Sequence, residues 1–174
     1  MWVFGYGSLM WDGWEIKLGC SQKLPGEVQG YQRTFNKASI ENWGSKRAPC
    51  PTLNLKRVNG AICRGIAFEF SNGNKSKTFD YLKRREGKYF TFPELPVRLD
   101  NGTEITAHVP IYNGNNYVIA QSEQEIASIV QRAQGKNGSC LKYIQGIANE
   151  LTKLGIHDAV VNRLWRIIKD ADIS

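Results

Sequence analysis

The spacing of apolar residues changes once along this chain, and that change limits the folds open to it. Before Tyr112 the apolar stretches are short and follow a period near two; from Ser122 onward they recur about every 3.6 residues. Trp2-Val3-Phe4 reads as a buried opening strand, with no room for a leader before it. Val28 to Phe35 alternates and ends aromatic, as a strand does. Thr52–Leu55 and Ala61–Phe70 are predicted as strands joined by an Asn59-Gly60 hairpin turn, with Asn72-Gly73 closing the unit. Val97–Leu99 and Thr106–Tyr112 straddle an Asp100-Asn101-Gly102 turn. Between these, Asp12–Pro25 has no steady period and reads as loop. Asn36–Pro51 is a long polar connection of the kind that is usually functional or mobile.

The helical signals follow a different logic. Lys77–Glu86 carries Phe79 and Leu82 among charges, and Gly87 is a natural stop. Ser122 and Glu125 form a capping box ahead of Ile126, Ile129, Val130 and Ala133. Cys140–Leu154 repeats the pattern with Ile144, Ile147, Ala148 and Leu151, and a last helix starts near Asp158 with Val161, Leu164, Trp165 and Ile168 inward. Strands first and helices last predict an α+β fold: a small antiparallel barrel or curled sheet with flanking helices and a helical C-terminus. A length of 174 residues with no repeat or linker suits one domain, residues 1–174.

Composition excludes several classes. Hydrophobic residues at 41% and charged residues at 22% describe a globular chain, and no apolar run approaches the roughly eighteen residues of a membrane helix. The N-terminus lacks a charged start and a small-residue cleavage site, so a cytoplasmic location is expected. Cys20, Cys50, Cys63 and Cys140 form no Cys-x-x-Cys pair, and with only His108 and His157 available no zinc spacing exists. The cysteines are expected to be small buried hydrophobes. The net charge of +7 is scattered over Lys46-Arg47, Lys56-Arg57 and Lys83-Arg84-Arg85 without a nucleic-acid-binding signature, so no nucleic-acid partner is expected.

Two places stand out chemically. Gly5-Tyr6-Gly7-Ser8 lets the chain turn sharply and aim successive N–H groups into one hollow suited to a carboxylate; a plain tight turn is the other reading. It is no dinucleotide fingerprint, because position 10 is Met, and no nucleophile elbow, because Tyr6 and Met10 flank Ser8. Glu86 ends a helix, where the dipole disfavours a carboxylate. Facing a pocket, it would have its proton affinity raised by dipole and burial, with Arg84 and Arg85 opposing, and would suit a general acid/base. Facing solvent, it is one charge among many. His108, in a strand, and His157, beside a helix cap, are expected to be structural.

Together, Val3-Phe-Gly-Tyr-Gly-Ser-Leu-Met-Trp11, Gln32-Arg-Thr-Phe35, Ala38-Ser39, Tyr81-Leu-Lys-Arg-Arg-Glu86 and Tyr143 resemble the ChaC-like branch of the gamma-glutamylcyclotransferases, with matching order and spacing. The resemblance implies a small barrel with flanking helices. It implies that Tyr6, Gly7, Ser8 and Leu9 hold a gamma-glutamyl group through the main chain, that Glu86 is the acid/base, and that Ser39 and Tyr143 belong to the substrate pocket. The implied reaction is attack of the substrate's alpha-amine on its own gamma-carbonyl, releasing 5-oxoproline with no metal and no cofactor. The partner is then a small gamma-glutamyl peptide or amine. Family members that prefer glutathione tend to carry Asp-His-Arg-Gly after the serine, whereas Ser39 precedes Ile40-Glu41-Asn42-Trp43-Gly44, a loop expected to wall the pocket. The run after Glu86 is also short, Gly87-Lys88-Tyr89. A module that binds the same ligand without turning it over is the alternative, and it has no need of the proton carrier.

Overall fold

A computed structural model describes residues 1–119 and 122–171. Strands β1 (Trp2–Gly5), β2 (Cys20–Ser39) and β3 (Cys50–Phe70) precede helix α1 (Lys75–Glu86). Strands β4 (Phe90–Thr91), β5 (Glu94–Leu99), β6 (Glu104–His108) and β7 (Ile111–Tyr112) follow. Helices α2 (Glu123–Arg132), α3 (Cys140–Lys153) and α4 (Ala159–Ala171) close the chain. Five strands form a closed barrel in the order β1-β3-β2-β5-β6, while β4 and β7 pair separately. The predicted barrel with a helical C-terminus is what forms. One seam is parallel: Trp2 lies opposite Ala107 and Val3 opposite His108, whereas β1 meets β3 antiparallel with Gly5 opposite Ile66. No helix among the described residues is long and apolar enough to cross a membrane.

The chain divides into two compact units. Met1–Gln32 with Leu55–Gly114 holds β1, α1 and β4–β7; the other comprises Arg33–Asn54 and the chain from Asn115 on. In the first, Val3, Phe4, Phe68, Phe70, Leu82 and Val97 are buried. Trp2, Val3 and Phe4 are strand formers whose burial removes apolar area worth about 25 cal/mol per Å². In the second, Val130, Ile144, Ile147, Leu151, Val161 and Ile168 supply the apolar face that the 3.6 period predicts. The caps also form as expected: Ser122 accepts from the Glu125 N–H at 3.2 Å, and Asp158 from the N–H groups of Val160 and Val161 at 3.1 and 3.0 Å. The other Asp158 oxygen takes the Arg33 guanidinium at 2.7 Å, on a side chain with no exposure. A buried cation needs such a partner, so one carboxylate both starts α4 and anchors β2.

Three expectations are corrected. The Asn59-Gly60 hairpin does not form; β3 runs through it unbroken, with Gly60 at φ 74° and open space where a Cβ would sit. A left-handed glycine fits a bulge as readily as a turn, and which one forms depends on the neighbouring strand. The loop read over 12–25 yields its last six residues to β2, and the connection read over 36–51 shrinks to 40–49. Finally, Cys50 and Cys140 are bonded to each other, with Cα atoms 5.5 Å apart. They begin β3 and α3, and a separation of 90 residues leaves no trace in sequence spacing. Cys63, buried, and Cys20, half-buried, stand outside that bond.

A cross-link over so long a loop constrains the unfolded chain by about 3–5 kcal/mol. The double variant Cys50→Ala/Cys140→Ala should therefore melt roughly 6–20 °C below the parent under non-reducing conditions. Calorimetry with equal melting temperatures for the two proteins would remove the cross-link from the account.

Candidate active site

After β1 the chain passes through Gly7 (φ −129°, ψ −135°) and then tightens into one 3-10 turn over Ser8–Met10. The Met10 N–H bonds the Gly7 carbonyl at 3.0 Å, and those of Trp11 and Asp12 bond the Ser8 carbonyl at 3.2 and 3.3 Å. Among the described residues, nothing accepts from the N–H groups of Gly7, Ser8 and Leu9. Three consecutive open donors are what an anion-binding turn requires.

The turn is held from behind. Tyr6, buried, donates its hydroxyl to the Pro110 carbonyl at 2.6 Å. The Trp14 indole N–H donates to the Leu9 carbonyl at 2.9 Å, and its ring stacks on Tyr81 of α1 at 5.8 Å while packing on Phe68 and Phe70 of β3. Trp14 lies in the stretch that reads as loop, where a lone aromatic between glycines gives no periodic signal. Gly65 lets the strands approach: a Cβ there would lie 2.3 Å from the Gly5 carbonyl oxygen.

Glu86 ends α1, with Gly87 at φ 88° terminating the helix behind it. Its carboxylate is neither free in solvent nor deeply buried, at 18% side-chain exposure. Arg85 connects it to the turn. The guanidinium Nε donates to Glu86 Oε1 at 3.2 Å, one Nη to the Tyr81 hydroxyl at 3.2 Å, and the other Nη to Ser8 Oγ at 3.0 Å and to the Asp12 carboxylate. Burial works against this cation, but Glu86 and Asp12 by charge, and Asp12 and Tyr81 by hydrogen bonding, outweigh it and hold the Arg85 proton more tightly than usual. Arg85 is thus a permanent cation beside the Glu86 carboxylate. Asp12 carries no motif signal, which is why sequence reasoning passes over it.

Tyr6, Gly7, Ser8, Leu9 and Glu86 therefore belong to one unit, in which the Arg85 guanidinium bonds both Ser8 and Glu86. Ser39 and Tyr143 belong to the other unit. Ser39 ends β2, buried, and its Oγ accepts from the Trp43 N–H at 3.3 Å. The Tyr143 hydroxyl accepts from the Leu53 N–H at 3.0 Å, and its ring lies 5.3 Å from that of Trp43. The 40–49 loop thus packs its tryptophan on the helix that carries Tyr143. The two histidines hold structural contacts: His108 lies 4.6 Å from the Phe79 ring and His157 meets Asn162 at 2.8 Å. Among the described residues, no group of three or more His, Cys, Asp or Glu side chains is arranged to hold a metal ion.

Comparison with known proteins places the chain in a family. The ChaC-like protein family matches residues 1–171. Gamma-glutamylcyclotransferase 2-3 of Arabidopsis thaliana is 30% identical over 94% of this chain and 86% of its own length. The glutathione-specific gamma-glutamylcyclotransferase of Escherichia coli (strain K12) is 30% identical over 97% and 73%. In fold, the chain superposes on a gamma-glutamyl cyclotransferase from yeast, described as specific to glutathione, with a TM-score of 0.86 at 17% identity, covering 98% and 96% of the two chains. The match over nearly the whole chain shows that it belongs to the ChaC-like family of gamma-glutamylcyclotransferases.

Proposed function

We propose that the protein is an enzyme that cyclises the gamma-glutamyl group of a small peptide or amine to 5-oxoproline, with glutathione as one substrate to test. The observation that carries this reading is the set of three open N–H groups at Gly7–Leu9, tied through Arg85 to the Glu86 carboxylate. The N–H hollow takes the substrate's alpha-carboxylate. Glu86 takes a proton from the alpha-ammonium, because an ammonium has no lone pair with which to attack. The freed amine attacks the gamma-carbonyl carbon, a C–N bond forms, the original amide C–N bond breaks as the departing nitrogen takes the proton from Glu86, and the ring nitrogen gives up its second proton, so that both end on the released ammonium. Holding the glutamyl chain bent supplies much of the acceleration, on the order of 7–11 kcal/mol at the limit. No water, metal or covalent enzyme intermediate is needed.

Ser39 and Tyr143 act as pocket residues in this reading, with the Trp43 loop beside them, and residues 1–174 work as one domain. The unbroken family match across both units supports that. The protein works in the cytoplasm, where full burial shields the Cys50–Cys140 bond from cellular thiols. A purely ligand-binding module has no use for a carboxylate held beside the hollow.

The test is a panel of gamma-glutamyl compounds, glutathione and several gamma-glutamyl amino acids and amines, incubated with purified protein. Mass spectrometry should find 5-oxoproline and the released amine in equal amounts from at least one of them. Absence of 5-oxoproline from every compound would overturn the reading.

A further inference from the structure

We infer that Arg85, balanced by Asp12, is the positioning residue that sets the hydrogen-bond polarity of the site: it pins one oxygen of Glu86 and makes the Ser8 hydroxyl a donor to substrate. The inference rests on the cyclotransferase reading above and adds to it a role for two side chains outside the hollow. Arg85 Nε occupies Glu86 Oε1, while Oε2 has no partner among the described residues. The carboxylate is thereby oriented, with one oxygen left to accept a proton. Ser8 Oγ accepts from the guanidinium at 3.0 Å, so its own hydroxyl hydrogen must point elsewhere. A serine whose lone pair faces Arg85 keeps its hydroxyl hydrogen for another acceptor, and the inference assigns that hydrogen to the carboxylate gripped by the N–H groups of the same turn.

Asp12 is required for the charge balance. A lone guanidinium beside Glu86 would hold that carboxylate in its charged form and oppose its taking a proton. Asp12 bonds the Nη that also reaches Ser8, so two carboxylates share one cation. The cation then orients Glu86 while its charge is shared with Asp12. The side chains are 17%, 18% and 23% exposed for Arg85, Glu86 and Asp12, sheltered enough for the pairing to be felt and open enough for substrate to arrive. The planar guanidinium matters here, because three of its nitrogens serve four different acceptors at once, which the single nitrogen of a lysine cannot do.

The test measures kcat and KM separately for Arg85→Met, Arg85→Lys and Asp12→Asn, using a gamma-glutamyl compound that the wild-type protein cyclises. Melting curves confirm folding, and Asp12→Asn, which preserves shape at an exposed residue, keeps the test readable should Arg85→Met fail to fold. Arg85→Met should lower kcat about a hundredfold, as misplacement of a reacting group does. Arg85→Lys should recover only part of that loss. Asp12→Asn should lower kcat by a smaller factor and leave KM within about twofold, because it alters the charge felt by Glu86 and not the grip on substrate. A folded Arg85→Met or Asp12→Asn variant with wild-type kcat overturns the inference while leaving the cyclotransferase reading intact. A wild-type protein that cyclises nothing overturns that reading, and this inference with it.

Discussion

Glu86→Gln should abolish 5-oxoproline release, with kcat reduced by about 10²–10⁴ and affinity for a gamma-glutamyl ligand nearly unchanged. The amide has the shape of the carboxylate, and its carbonyl oxygen can still accept from Arg85 Nε, which lies 3.2 Å from Glu86 Oε1. What it loses is the capacity to take a proton, and positioned acid/base groups typically supply that range of acceleration. Calorimetric titration with a gamma-glutamyl compound measures the retained binding, and mass spectrometry the lost product. A variant that binds and turns over like the parent would free Glu86 of its assigned role.

Gly65→Val should do damage of a different kind, removing binding and turnover together. A Cβ at this position falls 2.3 Å from the Gly5 carbonyl oxygen and 2.8 Å from the Phe4 ring. The first of these atoms is backbone and has no rotamer to escape into. Relief requires β1 to move away from β3, and β1 leads directly into Gly5 and Tyr6, the start of the hollow. Overpacking of this sort costs about 1–3 kcal/mol or more, a drop of roughly 2–12 °C in melting temperature. Even the folded fraction should show a raised KM, because the donors at Gly7–Leu9 are displaced. A variant with wild-type melting temperature and KM would contradict the close approach that places the turn.

The parts of this protein legible in its sequence are those whose physics is local. Ser122, Asp158 and Gly87 act as helix boundaries because a cap is satisfied within three or four residues of itself. The 3.6 period of α3 and α4 marks Ile144, Ile147, Leu151, Val161 and Ile168 as buried without reference to what covers them. The turn at Gly5–Ser8 and the helix-end carboxylate Glu86 are visible for the same reason, as local features that ordinary packing would not select. Illegible parts depend on partners far away in sequence. Asn59-Gly60 carries a hairpin signal, yet the strand continues, because the pairing of β3 with its barrel neighbours decides the matter. Cys50 and Cys140 meet only once β3 and α3 are placed. Asp12 and Trp14 sit in a stretch without periodicity, and their roles arise from distant partners, Arg85 for the first and Phe68, Phe70 and Tyr81 for the second. Arg85 itself is visible as a charge that would oppose Glu86; that it also binds Ser8 and Asp12 is a property of the fold alone.

The central claim is that the alpha-amine of the substrate, activated by Glu86 within the Gly7–Leu9 hollow, closes the ring without help from water. Running the reaction in water enriched in oxygen-18 tests this most directly, using the compound that the substrate panel identifies. The account predicts 5-oxoproline carrying no oxygen-18, since the gamma-carbonyl keeps its own oxygen. Glutamate labelled at its gamma-carboxylate as the product would mean hydrolysis, and would contradict it.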